Sequence, residues 1–144
     1  MTSIRSVQEA DLPCVLEMIH ALAAHHGDSA ATTLDDLRRD MLGPSAWVQA
    51  LVAPGLGYAA LTPLVQLQFG VRGMDLHHLF IVPAARGRGV GRALVAASKA
   101  HAKAQGCRYL AVGTHPENRA AQQMYLALGF DALERPGPRF RMKW

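Results

Sequence analysis

Apolar positions along the chain switch several times between a period of two and a period near 3.6, as strands alternating with helices require. "TSIRSV" alternates polar and apolar residues and predicts a short first strand. In "CVLEMIHALAAHHG", Val15, Met18, Ile19 and Leu22 recur on one helical face. Asp11 stands where an N-cap belongs, Pro13 falls in the first turn, where its missing N–H does no harm, and Gly27 ends the helix. "TLDDLRRDML" predicts a second, short helix, because Thr33 and Asp36 have capping-box spacing, and Gly43-Pro44 stops it.

"AWVQALVA" and "YAALTPLVQLQF" then read as a strand pair around the turn "PGLG", with Pro63 confining part of the second to an edge or a bulge. "MDLHHLFIV" is another strand, ended by Pro83. A glycine-rich stretch and a helix to about Ala104 follow, with Gly106 as its stop and "CRYLAVGT" as a further strand. "NRAAQQMYLALG" predicts a helix capped by Asn118 and stopped by Gly129; "FDALE" and "RFRMKW" predict a terminal hairpin. The pattern as a whole is a mixed α/β sheet with helices packed on it, in one domain of residues 1–144.

Composition narrows the function classes. Of the 144 residues, 50% are hydrophobic and 18% charged, an ordinary balance for a globular domain. No apolar run approaches the ~18–20 residues of a membrane span, and "MTSIRSVQEAD" lacks the pattern of a signal peptide, so a cytoplasmic protein without membrane partners is expected. Cys14 and Cys107 have no CxxC spacing, and the pairs His25-His26 and His77-His78 sit in no HExxH or cysteine–histidine frame, so no metal is expected. The net charge is +4, but the basic residues are spread out and not interleaved with aromatics that would stack bases. A nucleic-acid partner is not expected; the densest basic cluster, "RGRGVGR", suits a small anion.

That cluster sits between a strand and a helix start. The first N–H groups of a helix have no intrahelical partner and carry the positive end of its dipole. Glycines let the backbone approach an anion closely, and Arg86, Arg88 and Arg92 add charge-assisted donors. A Walker A loop would need Gly-Lys-Ser/Thr, which is absent, and a dinucleotide fingerprint would need an acid ~20 residues later, also absent. The stretch alone therefore reads either as a pyrophosphate cradle or as a basic surface turn.

"LFIVPAARGRGVGRAL" resembles motif A of the GNAT family of N-acetyltransferases, with Arg86, Gly89 and Gly91 in the signature places. "NRAAQQMYLALGF" is similar to the family's second segment, with Asn118, Ala121, Tyr125, Gly129 and Phe130 in register. Within the family, "LAAHHGDSAATTLDDLRRDM" followed by "LHHLFIVPAARGRG" is most like the polyamine/diamine acetyltransferase branch. The resemblance implies a GNAT fold: a mixed sheet of about six to seven strands flanked by about four helices. It implies an acetyl-CoA site in which the amides of Arg86, Gly87, Arg88, Gly89, Val90 and Gly91, beside Arg92, hold the pyrophosphate. The strand edge at Leu79, Phe80 and Ile81 would pair with the pantetheine arm and polarise the acetyl carbonyl, and Asn118 is counted with these cofactor-binding residues.

Acetylating an amine raises two proton problems. A lysine-like amine has a pKa near 10.4, so only about one molecule in 10³ is nucleophilic at neutral pH, and the departing thiolate needs a proton. The resemblance implies Tyr125 as general acid, although its helical spacing to Ala121 and Leu128 also suits packing. His77 falls where polyamine enzymes carry a glutamate and aromatic-amine enzymes a histidine; it is the candidate base, or else a rim histidine. Strand alternation puts Asp75, His77, Leu79 and Ile81 on one face and Leu76, His78 and Phe80 on the other. "HH" in place of an acidic pair removes negative charge beside the acceptor. Asp28, Asp35, Asp36 and Asp40 read either as an acceptor wall or, with Arg38 and Arg39 among them, as a solvated mixed-charge face. The expected function is acetyl-CoA-dependent transfer to the primary amine of a small molecule by direct attack. A non-catalytic acyl-CoA sensor and a protein acetyltransferase are the alternatives. Family relatives pair through C-terminal strands, so a homodimer is expected.

Overall fold

The computed structural model describes residues 2–133 and 138–144. They fall into two compact units, Met1–Gly113 and Thr114–Trp144. The first contains β1 (Arg5–Ser6), α1 (Leu12–His25), α2 (Leu34–Met41), β2 (Gln49–Ala53), β3 (Gly57–Gln66), β4 (Val71–Ile81), α3 (Val90–Ala104) and β5 (Cys107–Val112); the second contains α4 (Arg119–Ala127). The sheet runs β1-β2-β3-β4-β5, antiparallel except for the parallel pair β4–β5.

Both faces of the sheet are covered. Leu12, Val15 and Met18 of α1 join Leu37, Val52, Tyr58, Ala60 and Phe80 in one buried cluster. Alternation turns Leu51, Ala59 and Leu61 to the other side. There α3, packed on β2 to β5, buries Val90, Leu94, Val95 and Ala102. Its one buried polar group, the Ser98 hydroxyl, donates to the Leu94 carbonyl at 2.7 Å. Burial on two sides explains the unbroken apolar run at the start of β3.

The expected mixed sheet with four helices is present, but with five strands among the described residues rather than six or seven. The terminal hairpin is the difference. Residues 130–133 and 138–144 carry no strand, and Glu134 of "FDALE" lies outside the described residues. Phe140, Met142 and Trp144 alternate with basic residues as a strand would, yet each is almost fully exposed. Alternation specifies a strand only where a neighbouring ladder and an apolar layer take it up.

Two of the expected N-caps turn out differently from each other. Thr33 and Asp36 form the expected box: Asp36 N–H donates to Thr33 Oγ1 at 3.2 Å and Thr33 N–H to Asp36 Oδ2 at 3.0 Å. Asp11 does not cap α1 with its side chain. A 3-10 turn over Glu9–Asp11 precedes that helix, so the carboxylate reaches back to accept from Gln8 N–H and from both terminal nitrogens of Arg5. The α2 acids are tied up in ion pairs, Arg38 with Glu9 and Asp35, and Arg39 with Asp36 and Asp40. They form a solvated mixed-charge face.

Pro63 lies in β3 beyond Leu61, the last residue paired with β2, so its missing N–H costs no ladder bond on that side. At the other end of β3, Gly57 is needed for space: a Cβ there would lie 2.4 Å from the Phe80 carbonyl oxygen and 3.3 Å from Leu94 Cδ1. Gly57→Ala should therefore lower unfolding stability by ~1–3 kcal/mol, as overpacked sites do, measured by urea titration. Unchanged stability would mean that β3 and β4 separate there without cost.

Candidate active site

The site begins where two strand pairings end at different places. The β3–β4 ladder continues to Gly57 opposite Ile81, whereas β4–β5 stops at Leu76 opposite Val112. From residue 77 to 81 the far edge of β4 has no strand partner among the described residues. Unpaired N–H and C=O groups on a strand edge are a template for an extended ligand.

At the end of that edge the chain turns through Pro83–Ala85 into the glycine-rich loop. Gly87 and Gly89 have φ of +75° and +81°, values that side-chain-bearing residues rarely adopt. Gly89 is the N-cap of α3, so the N–H groups of Val90, Gly91 and Arg92 lack helical partners. The amides of Gly87, Arg88 and Gly89 also have no partner among the described residues. A Cβ on Gly91 would sit 3.3 Å from Ile81 Cδ1, so that glycine lets α3 start close against the strand.

The arginines do different things. Arg86 Nε donates to the Ile81 carbonyl at 3.1 Å, and its guanidinium lies 5.7 Å from the centre of the Phe80 ring. It fastens the loop to the strand. Arg88 donates to the Ala84 carbonyl at 3.3 Å, within the loop. Arg92 is exposed and makes no hydrogen bond or ion pair among the described residues, leaving its donors for an anion. Leu79 and Ile81 are half-buried, while the Phe80 side chain belongs to the core, so only its backbone can serve the open edge.

A β-bulge marks the start of that edge. Ala60 pairs with His78 and Leu61 with Leu76, so His77 is an extra residue in β4. This corrects the simple alternation. A bulge re-aims consecutive side chains, and the rings of His77 and His78 stack, 4.4 Å apart and 11° from parallel. His77 is exposed; His78 is half-buried with Nδ1 3.0 Å from the Tyr58 hydroxyl. Tyr58, which the sequence pattern reads only as part of an apolar strand, thereby joins the site.

Asn118 and Tyr125 belong to the second unit and share α4. Asn118 Oδ1 accepts from Ala121 N–H at 3.1 Å, the expected N-cap, which leaves its amide NH₂ without a partner among the described residues. Tyr125 is half-buried, edge-on to Phe130 with ring centres 5.4 Å apart. Burial raises its phenol above the ordinary range. No group of three or more His, Cys, Asp or Glu side chains suited to a metal occurs among the described residues, and no helix there is long and apolar enough to cross a membrane.

Residues 17–130, most of the chain, match the Acetyltransferase (GNAT) family. The chain belongs to that family. Aminoglycoside N(6')-acetyltransferase type 1 of Salmonella typhimurium is 42% identical over 60 residues, which make up 42% of this GNAT chain and 41% of that protein. Mycothiol acetyltransferase of Saccharopolyspora erythraea is 28% identical over 128 residues, 83% of this chain and 40% of that protein. The matches thus span about two-fifths of the length of these relatives. An aminoglycoside N-acetyltransferase solved in complex with CoA superposes with a TM-score of 0.74 at 23% identity, covering 99% of this chain and all of that one. At that identity the likeness concerns the fold.

Proposed function

We propose that this GNAT protein transfers an acetyl group from acetyl-CoA to the primary amine of a small molecule by direct attack. The observation that carries the reading is the adjacency of a β4 edge to the amides of a helix start and its loop, at residues 87 to 92, both without partners among the described residues. A diphosphate needs several donors converging at a positive helix end, and an extended amide chain needs a strand edge; both lie on one strand–loop–helix stretch. Arg92 supplies a free charge for the same anion. When bound, acetyl-CoA supplies the acyl group as a reactive thioester.

The chain's own residues then have three tasks. A backbone N–H on the 77–81 edge donates to the carbonyl oxygen on which charge develops. His77 takes the proton from the attacking amine, directly or through water, and Tyr125 returns a proton to the leaving sulfur. The acceptor class follows from charge. The α2 acids are already paired with arginines, and His77-His78 stand in place of an acidic pair, so apart from Asp75, which faces His77, these elements offer little unpaired negative charge to favour a polyamine such as the branch resemblance implies. An amine of lower charge density fits this lining as well; an aminoglycoside, itself polycationic, is a candidate on the name of a relative and not on the charge of the site.

Thiol detection with acetyl-CoA and a panel of polyamines, aminoglycosides, aromatic amines and amino acids, across about pH 6 to 9, tests the reading. Release of CoA with one class is expected; protection of the fold by CoA without release from any acceptor would make the protein a sensor. His77→Gln should lower kcat ~10²–10⁴-fold and remove the acidic limb of the profile while leaving CoA binding intact. An unaltered acidic limb would strike His77 from the mechanism.

A further inference from the structure

Three side chains run from the core to solvent through the β4 bulge. Tyr58 on β3 is wholly buried, His78 is half-buried and His77 is exposed. The Tyr58 hydroxyl lies 3.0 Å from His78 Nδ1, and the two rings meet edge-on with centres 6.1 Å apart. His78 in turn stacks on His77. The His77 imidazole has no hydrogen-bond partner among the described residues, so this stack is what restrains its ring. We propose that Tyr58 and His78 are positioning residues for His77: the buried hydroxyl fixes the tautomer and orientation of His78, whose face fixes the His77 ring at the bulge. The proposal rests on the reading of His77 as the base.

The direction of the hydrogen bond follows from burial. A phenol this deep is pushed well above its usual range and stays protonated, and His78 Nδ1 is the hydroxyl's only hydrogen-bond partner among the described residues, so its buried proton is satisfied only by donation to Nδ1. The proton of a neutral His78 then sits on Nε2. His78 itself is pushed down to about 4, first by burial and then by the positive charges of His77 and of His26 at the end of α1. Those two histidines and Tyr58 are the groups facing it; Asp75, half-buried on β4, faces His77. At neutral pH the ring beneath His77 is uncharged. His77 can accept a proton with no like charge on the ring stacked 4.4 Å from it.

Nitrogen-15 NMR of the imidazoles, together with pH–rate profiles, tests this. In the wild-type protein His78 should remain the neutral Nε2–H tautomer from about pH 8 down to about pH 5. Tyr58→Phe keeps the ring and removes the donor; His78 should become a tautomer mixture and kcat should fall ~10–100-fold. The acidic limb should shift, and KM for acetyl-CoA should hold within about twofold. Wild-type His78 that carries Nδ1–H, or that becomes charged within that range, overturns the proposal, and that measurement stands even where Tyr58→Phe does not fold. So does a Tyr58→Phe enzyme with unaltered tautomer and profile. Failure of the base reading shows separately, as an acidic limb that survives in His77→Gln.

Discussion

Gly89→Ala should weaken CoA binding by ~10–100-fold while the protein stays folded, because the residue sets the direction of the unpartnered amides around it. Its φ of +81° is the left-handed region, where an L side chain costs roughly 1–2 kcal/mol. A Cβ there would meet nothing within 4 Å, so the obstacle is the backbone conformation and not crowding. The chain can relieve the strain by rotating the peptide planes on either side, which turns donors away from a shared anion. Each hydrogen bond to a charged group contributes ~1.5–3 kcal/mol, so losing the alignment of one accounts for the expected factor. Gly70→Ala is the control. Gly70 has a φ of +62°, equally open surroundings, and a place just before Val71, the opposite end of β4 from the loop. It should lose similar stability in thermal unfolding yet bind CoA as the wild type does by calorimetry. Equal affinity in both variants would mean that the glycine-rich loop does not hold the diphosphate.

Sequence pattern and structure part most sharply at the β4 bulge. Features carried by neighbours in the chain were legible: the Thr33–Asp36 box, the Asn118 cap and the glycine loop opening α3 each depend on residues within a turn of one another. Asp11 departs from the expected cap although its partners are close, because a 3-10 turn carries the carboxylate from the helix to Arg5, and propensity does not distinguish the two. Register is harder. Whether "DLHHLFI" alternates or bulges is decided by how Leu61 and Ala60 meet it across the sheet, and a single added residue overturns every facing assignment beyond it. Tyr58 illustrates the same limit: in sequence it is one more apolar position, and only the strand pairing brings its hydroxyl to His78. The terminal segment shows the converse, a clear strand pattern with no partner to take it up among the described residues.

Tyr125→Phe should lower kcat ~10²–10⁴-fold with little change in KM for acetyl-CoA, the signature of losing a proton donor used only at the transition state. The substitution leaves the edge-on contact with Phe130 in place, so thermal unfolding should not register it. Burial raises the Tyr125 phenol, so the acid form persists to higher pH than in free tyrosine, and any decline in rate from its ionisation lies above its ordinary value of ~10. The sign is the same for stability: the folded state favours the protonated phenol, so that contribution is complete below the unfolded pKa and is lost as pH rises through the folded one. A smaller rate alone would not separate an acid from a packing aromatic. The leaving group does. With an acetyl thioester of a more acidic thiol the departing sulfur needs less help, so the deficit of Tyr125→Phe should shrink toward the wild-type rate. A deficit that stays constant across thiols of different acidity would show that the tyrosine only shapes the site, and the proton for the thiolate would have to come from another group or from solvent.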